Sequence, residues 1–302
     1  MTQFTSILLF RILKKDLQIK FPKLEPALYL VSTPIGTAAD FSYRGVNVLT
    51  NADILLAEDT RFLKKLLRIF EIDLNKRPVR IYNDNSDSLV RSKCLDDLKN
   101  KKSIAYCCDA GTPLISDPGY KLVKAVIESG YEVRSIPGAS SVLVALCQSG
   151  LPSDRFCFGG FPPLRRIQRR EFFRIFSQIP ATLIFFESPR RIVATLEDLQ
   201  IIFGEDHFVV ICRELTKQYE DNKRGTIIEL ISEIKRNRNL RGEFTLLVDR
   251  KKSVGPDTNQ IVSDLTSELQ RSSLRDAAVA VAEKYSLSKK DTYKLGLKIL
   301  RK

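Results

Sequence analysis

From Leu28 onward, short apolar runs alternate with stretches of helical periodicity, and the runs end in turn-rich loops. Leu28–Val31, Asp53–Ala57, Ile104–Cys107 and Tyr131–Ile136 read as strands. Between them, Leu63, Leu66, Leu67 and Phe70 fall on one helical face, and Asp40 stands where an N-cap is expected before the helix carrying Tyr43, Val46, Val48 and Leu49. Alternation at this pace predicts a parallel, doubly wound α/β sheet. Open sheets of that kind bind ligands beyond the carboxyl ends of their strands, so the loops there deserve scrutiny. The densest is Cys108–Gly119, with two glycines, two prolines and two aspartates. Small residues let a ligand approach the backbone, and carboxylates accept hydrogen bonds from ribose hydroxyls or an amine. A tight structural turn with helix-capping aspartates is the plain alternative.

The second half continues the pattern with strands Arg155–Phe158, Ala181–Phe186, His207–Cys212 and Gly242–Val248, and a helix over Thr226–Lys235. A chain of 302 residues has room for two domains and an appendage. The expected boundaries are a flexible N-terminal arm over 1–27, an α/β domain over 28–138, a second over 139–250, a polar linker over 251–262 and a helical module over 263–302. In that module Ser288, with Asp291 three residues on, reads as a capping box.

Charge and composition narrow the function. A formal net charge of +13 favours an anionic partner, nucleic acid first. The six cysteines form no C-x-x-C pair and sit mostly in apolar runs, as in a reducing compartment. With His207 as the one histidine, neither a metal site nor a Ser-His-Asp arrangement is expected. No apolar stretch reaches the roughly 18–20 residues of a membrane span. A cytoplasmic protein without membrane contact is the expectation. Neither G-x-G-x-x-G nor a phosphate-binding G-x-x-x-x-G-K-[ST] follows any strand.

A basic run follows Gly159–Pro163: Arg165, Arg166, Arg169, Arg170 and Arg174, the first four with no acid before Glu171. A solvated helix face explains such a run, and so does an anionic partner that relieves the mutual repulsion.

The loops Ser32–Gly36, Glu58–Arg61, Asp109–Gly119, Pro137–Ser141, Glu187–Arg191 and Arg213–Lys217, in this order and spacing, resemble the tetrapyrrole methylase superfamily, and within it the branch that acts on small-subunit ribosomal RNA. The resemblance spans about residues 28–250. It implies two α/β domains of tetrapyrrole-methylase type holding S-adenosylmethionine in the cleft between them, a homodimer, and methylation of a cytidine 2′-hydroxyl in the decoding region of 16S rRNA in the small ribosomal subunit. Carried over by position, Pro34 and Ile35 line the cofactor cleft and Asp109, Thr112 and Ile115 hold the methionine and ribose parts. Ser140 and Ser141 reach the cofactor, with Leu215 and Phe244 nearer the adenine. The family usually has a histidine-bearing loop where Tyr82–Ser86 stands and a histidine at the position of Arg190.

A sulfonium methyl needs alignment more than activation, and a base need only take the hydroxyl proton. Glu58, Asp59 and Glu187 are the candidates, although Glu58 or Asp59 can equally pair with Arg61, and Glu187 can cap the next helix. Arg61, Arg190 and Arg191, with Arg165, Arg166, Arg169 and Arg170, are expected to grip RNA phosphates. Two other functions fit the same text: a catalytically silent ribosome-binding factor, suggested by the missing histidines, and a tetrapyrrole C-methylase, disfavoured by the basic charge.

Overall fold

The computed structural model describes residues 23–83, 88–236, 241–250, 258–285 and 287–300. Most of the 1–27 arm and of the 251–262 linker therefore lies outside the described residues. Two compact units are present, 1–249 and 250–302.

The first unit carries two five-stranded sheets. In the first, strands β1 (Leu28–Val31), β2 (Ile54–Ala57), β3 (Val79–Ile81), β4 (Ile104–Cys107) and β5 (Val133–Ile136) lie in the order β3-β2-β4-β1-β5. All pairings are parallel. Helices α1 (Tyr43–Asn51), α2 (Thr60–Ile69), α3 (Ser88–Lys99) and α4 (Tyr120–Glu128) connect them. Side chains alternate across a strand, so a sheet covered on both faces must be apolar at every position. Tyr29, Val31, Leu55, Ala57, Ala105 and Cys107 pack with Val46, Leu49, Leu63 and Leu67 of α1 and α2. The intervening Leu28, Leu30, Ile54, Leu56, Ile104 and Tyr106 pack with Cys94, Leu98, Leu122 and Val126 of α3 and α4. The N-cap of α1 is Ser42, whose side chain accepts the Gly45 amide, rather than Asp40, which sits in a preceding 3-10 turn. Serine there closes the cap three residues ahead, and Asp40 is two residues too early to reach those amides.

The second sheet has the order β6-β7-β10-β8-β9, from β6 (Phe156–Phe158), β7 (Thr182–Glu187), β8 (Phe208–Arg213), β9 (Asp221–Thr226) and β10 (Phe244–Val248). Only β6 and β7 are parallel. One face packs on α6 (Arg166–Phe176), α7 (Ile192–Phe203) and α8 (Ile227–Arg236), through Phe173, Leu196, Leu199, Leu230 and Ile234. Burying each of these side chains stabilises the fold by about 1.5–3 kcal/mol. The other face packs on α5 (Ser141–Ser149) and on Ile35 from the loop after β1, so the two halves share a core. The edge strand β9, with the sequence Asp-Asn-Lys-Arg-Gly-Thr, has no apolar pattern to announce it and exposes the charge that discourages edge pairing.

In the second unit, α9 (Thr258–Leu269), α10 (Leu274–Tyr285) and α11 (Lys289–Leu300) enclose Ile261, Leu265, Ala277 and Val281. The helix α9 starts inside the stretch expected to be linker. Ser288 Oγ accepts the Asp291 amide at 3.4 Å, as the capping pattern predicts. No helix among the described residues is long and apolar enough to cross a membrane.

Candidate active site

Parallel pairing sends the carboxyl ends of β1, β2, β4 and β5 to one edge of the first sheet, and with them the loops starting at Ser32, Glu58, Cys108 and Pro137. In the second sheet the carboxyl ends of β7 and β8 flank the amino end of β10, because Phe244 pairs with both Glu187 and Arg213. Loops from both edges enclose a cavity of about 450 Å³, within the range of small-molecule sites.

The first-sheet loops are tied to one another. Thr33 and Gly111 exchange backbone hydrogen bonds at 2.8 and 3.1 Å. Ser32 Oγ donates to Thr112 Oγ1 at 3.2 Å, and Thr112 Oγ1 donates to the Ala139 carbonyl at 3.1 Å. Gly138 packs so closely that a Cβ there would stand 2.8 Å from Ser32 Cβ. Gly111 has φ +83°, and Leu114 and Ser116 also lie at positive φ. So much left-handed backbone in one loop is a strain that the ties between strands must hold in place.

Three carboxyls face or border the cavity from this side: Glu58, Asp109 and Asp117. Burial, then the nearby charges of Asp117 and Asp109, pushes the Glu58 carboxyl up. Burial also raises Asp109 and Asp117. Like charges gathered in a half-buried site with no Lys or Arg in its lining favour a cationic ligand. Across the cavity lie Phe186, Leu215 and Phe244, an apolar wall, and the more exposed Phe161 also borders the cavity. Among the described residues no cluster of three or more His, Cys, Asp or Glu could hold a metal ion.

Residues 27–231 match the model of the Tetrapyrrole (Corrin/Porphyrin) Methylases. The chain belongs to this family. Among its methylase relatives, a Haemophilus influenzae protein named Ribosomal RNA small subunit methyltransferase I is 39% identical over 279 residues, which is 91% of this chain and 98% of that protein. A protein of the same name from Halalkalibacterium halodurans is 44% identical over 222 residues, 74% of this chain and 75% of its own. Solved structures show the same fold at low identity. A diphthine synthase matches at TM-score 0.57 and 16% identity over 74% of this chain and 90% of its own. A Thermus thermophilus uroporphyrin-III C-methyltransferase, complexed with S-adenosylhomocysteine, matches at TM-score 0.50 and 16% identity over 73% of this chain and 96% of its own.

Of the methylase residues expected to meet the cofactor, Ile35, Asp109, Thr112, Ile115, Ser140, Ser141, Leu215 and Phe244 line the cavity, and Pro34 does not. Thr112 spends its hydroxyl on the inter-strand tie, whereas Ser140 and Ser141 sit at the amino end of α5 without a side-chain cap bond. S-adenosylmethionine carries a sulfonium and an ammonium, which suit the uncompensated carboxylates, and its adenine suits the apolar wall. The donor set fits this cofactor.

The three base candidates part company. Glu58 lines the cavity. Asp59 does not. Its side chain caps α2 through the Arg61 amide at 2.8 Å and forks onto the Arg61 guanidinium at 2.5 and 2.9 Å. Glu187 borders the cavity, but its carboxylate is shut off from solvent. It accepts from the Ser188 amide at 2.7 Å and Thr195 Oγ1 at 2.6 Å, and pairs with Arg191 at 3.3 Å.

None of the seven arginines lines the cavity. The repulsion expected along Arg165–Arg170 is relieved within the fold: Asp198 of α7, inaccessible to solvent, meets Arg166, Arg169 and Arg170 at 3.1, 2.6 and 2.7 Å. Arg169 is thereby buried and has no face left for a phosphate, so it drops out of the expected RNA-gripping set. Arg61, Arg165, Arg166 and Arg190 remain exposed, while Arg170 and Arg191 are partly covered.

Arg190, at one position of a missing histidine, lies outside the lining, and at the start of the other loop Tyr82 is buried edge-on against Tyr106. Residues 84–87 of that loop are outside the described residues. His207 hydrogen-bonds the Asp249 carbonyl at 2.8 Å. Site residues without a sequence signal are Phe186, Glu243 and Thr245. They lie on or beside strands that read as core: Phe186 arrives with the carboxyl end of β7, and only the antiparallel register of β10 brings Glu243 and Thr245 to this edge.

Proposed function

We propose that the protein transfers a methyl group from S-adenosylmethionine to the 2′-hydroxyl of a cytidine in the decoding region of small-subunit rRNA, as a cytoplasmic homodimer acting on the small ribosomal subunit. The near end-to-end match to relatives named for that substrate carries this reading. The cavity supports it by offering an acidic side to a cationic cofactor and an apolar side to an adenine.

When bound, the cofactor supplies an electrophilic methyl on sulfur. The chain's task is to hold the ribose oxygen in line with that methyl, exclude water and accept one proton. Asp109, at the start of the strained loop, takes the polar end of the cofactor. The free amides at the start of α5, beside Ser140 and Ser141, suit its carboxylate. Glu58 is the proton acceptor: it lines the cavity and is not committed to an arginine. Its raised affinity for protons brings it closer to the operating pH of a general base. Glu187 instead fixes the turn that follows β7. Arg61, Arg165, Arg166, Arg170 and Arg190, with the basic helical unit, provide phosphate contacts.

The test is transfer of labelled methyl to small subunits isolated from cells lacking this protein, followed by mapping of ribose methylation. Incorporation at a decoding-region cytidine is expected. Folded protein that binds S-adenosylmethionine but labels neither subunits nor free rRNA would point to the silent binder, and turnover of a porphyrinoid to the C-methylase.

A further inference from the structure

The loop leaving β6, Gly159-Gly160-Phe161-Pro162-Pro163-Leu164, opens with two glycines, yet the structure clamps it. Arg191 Nη2 donates to the carbonyls of Pro162 at 2.6 Å and Pro163 at 3.2 Å. Arg169 Nη1 donates to the carbonyl of Leu164 at 3.2 Å. Three successive carbonyls are thus held by two guanidiniums. Each guanidinium is neutralised by a carboxylate inaccessible to solvent, Arg191 by Glu187 and Arg169 by Asp198. At the other end of the loop, the Gly159 amide donates to Ile184 and the Phe186 amide donates to Gly160, both at 2.9 Å.

What this clamped loop presents is Phe161. Its ring meets Phe186 edge to face at 5.4 Å and lines the cavity, yet the residue is 56% exposed. Folding has fixed a large apolar ring without burying it. On α6, which follows this loop in the chain, Arg166 and Arg170 each spend only Nε on Asp198. Their terminal nitrogens make no further hydrogen bond among the described residues, and that fork suits a phosphate. An exposed aromatic face on a loop that leads into a helix with phosphate-ready arginines supplies the chemistry that holds an unstacked nucleotide.

We propose that Phe161 is a stacking platform for the base of the nucleotide whose ribose enters the cavity, with Arg169 and Arg191 as positioning residues that fix it through the carbonyls of residues 162–164. This rests on the RNA-substrate reading above. The apolar ring supplies affinity for any base, so it sets how well the nucleotide is held rather than which base is chosen.

The chain contains no tryptophan, so Phe161→Trp places a single fluorophore at the platform. In the full-length variant we expect a cytidine-containing oligoribonucleotide to quench emission in the presence of S-adenosylhomocysteine, and S-adenosylhomocysteine alone to leave it unchanged. Phe161→Ala should raise KM for small subunits at least about 5-fold, the lower bound for losing one base–aromatic stack. Phe161→Trp should restore it, and calorimetric affinity for S-adenosylmethionine should stay at the wild-type value. Arg191→Ala in the Phe161→Trp background should lower tryptophan anisotropy. Unchanged anisotropy would remove Arg191 as a positioning residue. Quenching by S-adenosylhomocysteine alone, with weakened cofactor binding in Phe161→Ala, would assign the ring to the cofactor and overturn the proposal. So would an unchanged KM. Wild-type protein that methylates no ribosomal RNA defeats the substrate reading instead, and the oligonucleotide titration still decides whether Phe161 stacks.

Discussion

Glu58 and Asp59 are adjacent carboxylates with opposite environments. Hydrogen bonds from the Arg61 side chain and amide hold Asp59 below the usual aspartate range. Glu58 is raised by burial and by the neighbouring charges of Asp117 and Asp109. Glu58→Gln should therefore lower kcat about 100-fold or more, the usual contribution of a general base. It should also abolish the acid limb of the pH–rate profile, which rises with pH as Glu58 ionises. Asp59→Asn should leave kcat near wild type, since asparagine caps a helix about as well as aspartate. Single-turnover methyl transfer across pH checks both, and equal losses in the two variants would refute the assignment. The raised carboxyls also make a thermodynamic prediction. Glu58, Asp109 and Asp117 bind protons more tightly folded than unfolded. Their contribution to stability is greatest below the ordinary carboxylate range and declines as pH rises through the raised values. A bound cation opposes that decline. The Tm gain on adding S-adenosylmethionine should therefore grow between about pH 4 and pH 7, and grow less with S-adenosylhomocysteine, which lacks the sulfonium. A gain that is flat with pH in a thermal-shift titration would contradict this.

Between elements, the contact that organises the second half is Asp198 of α7 under the arginines of α6. Burial pushes its carboxyl up, but hydrogen bonds from Arg170, Arg166 and Arg169 outweigh that and hold it below the aspartate range. This lowered group contributes stability above its unfolded value near 4, which is lost as pH falls through the folded one. Asp198→Asn removes the counter-ion from buried Arg169, and urea unfolding should show a loss of about 3 kcal/mol. A loss under about 1 kcal/mol would mean that the cluster behaves as a surface pair. The arginine run was legible in the sequence but its counter-ion was not. Asp198 lies 28 to 32 residues downstream and reads as one polar residue on an amphipathic helix. The strand β9 escaped notice for a related reason, because its fit depends on backbone pairing with β8 and not on apolar side chains. The first turn of helix α9 did too, lying in residues whose composition is that of a linker.

Across the whole molecule, the first-sheet half of the site was readable because parallel pairing is a strong constraint: every strand-end loop must emerge on one side. The second-sheet half was readable at Leu215, Phe244 and the loop that starts at Glu187, but not at Glu243 and Thr245, since mixed pairing lets an amino end share the edge, and alternation alone does not reveal which. Charge is also a whole-molecule property, and it is spread unevenly. Residues 250–302 carry twelve Lys and Arg against six Asp and Glu, nearly half of the net +13 in about a sixth of the chain. On α11, Lys290, Lys294 and Lys298 recur every fourth residue and are exposed, so they form a stripe along one helical face. By contrast, Lys289 pairs with Glu283 and Lys284 with Asp264. If the stripe neutralises phosphates, replacing its three lysines with glutamine should flatten the dependence of log affinity on log salt by about 2 to 3, near 0.7–0.9 per lost contact. Every residue lining the cavity precedes residue 246, so cofactor affinity should be unchanged. Small-subunit binding at several salt concentrations measures the slope. An unaltered slope would place the RNA footprint wholly on the arginines of the first unit, and a lower kcat at saturating subunits would give α11 a part in aligning the ribose as well as in attracting it.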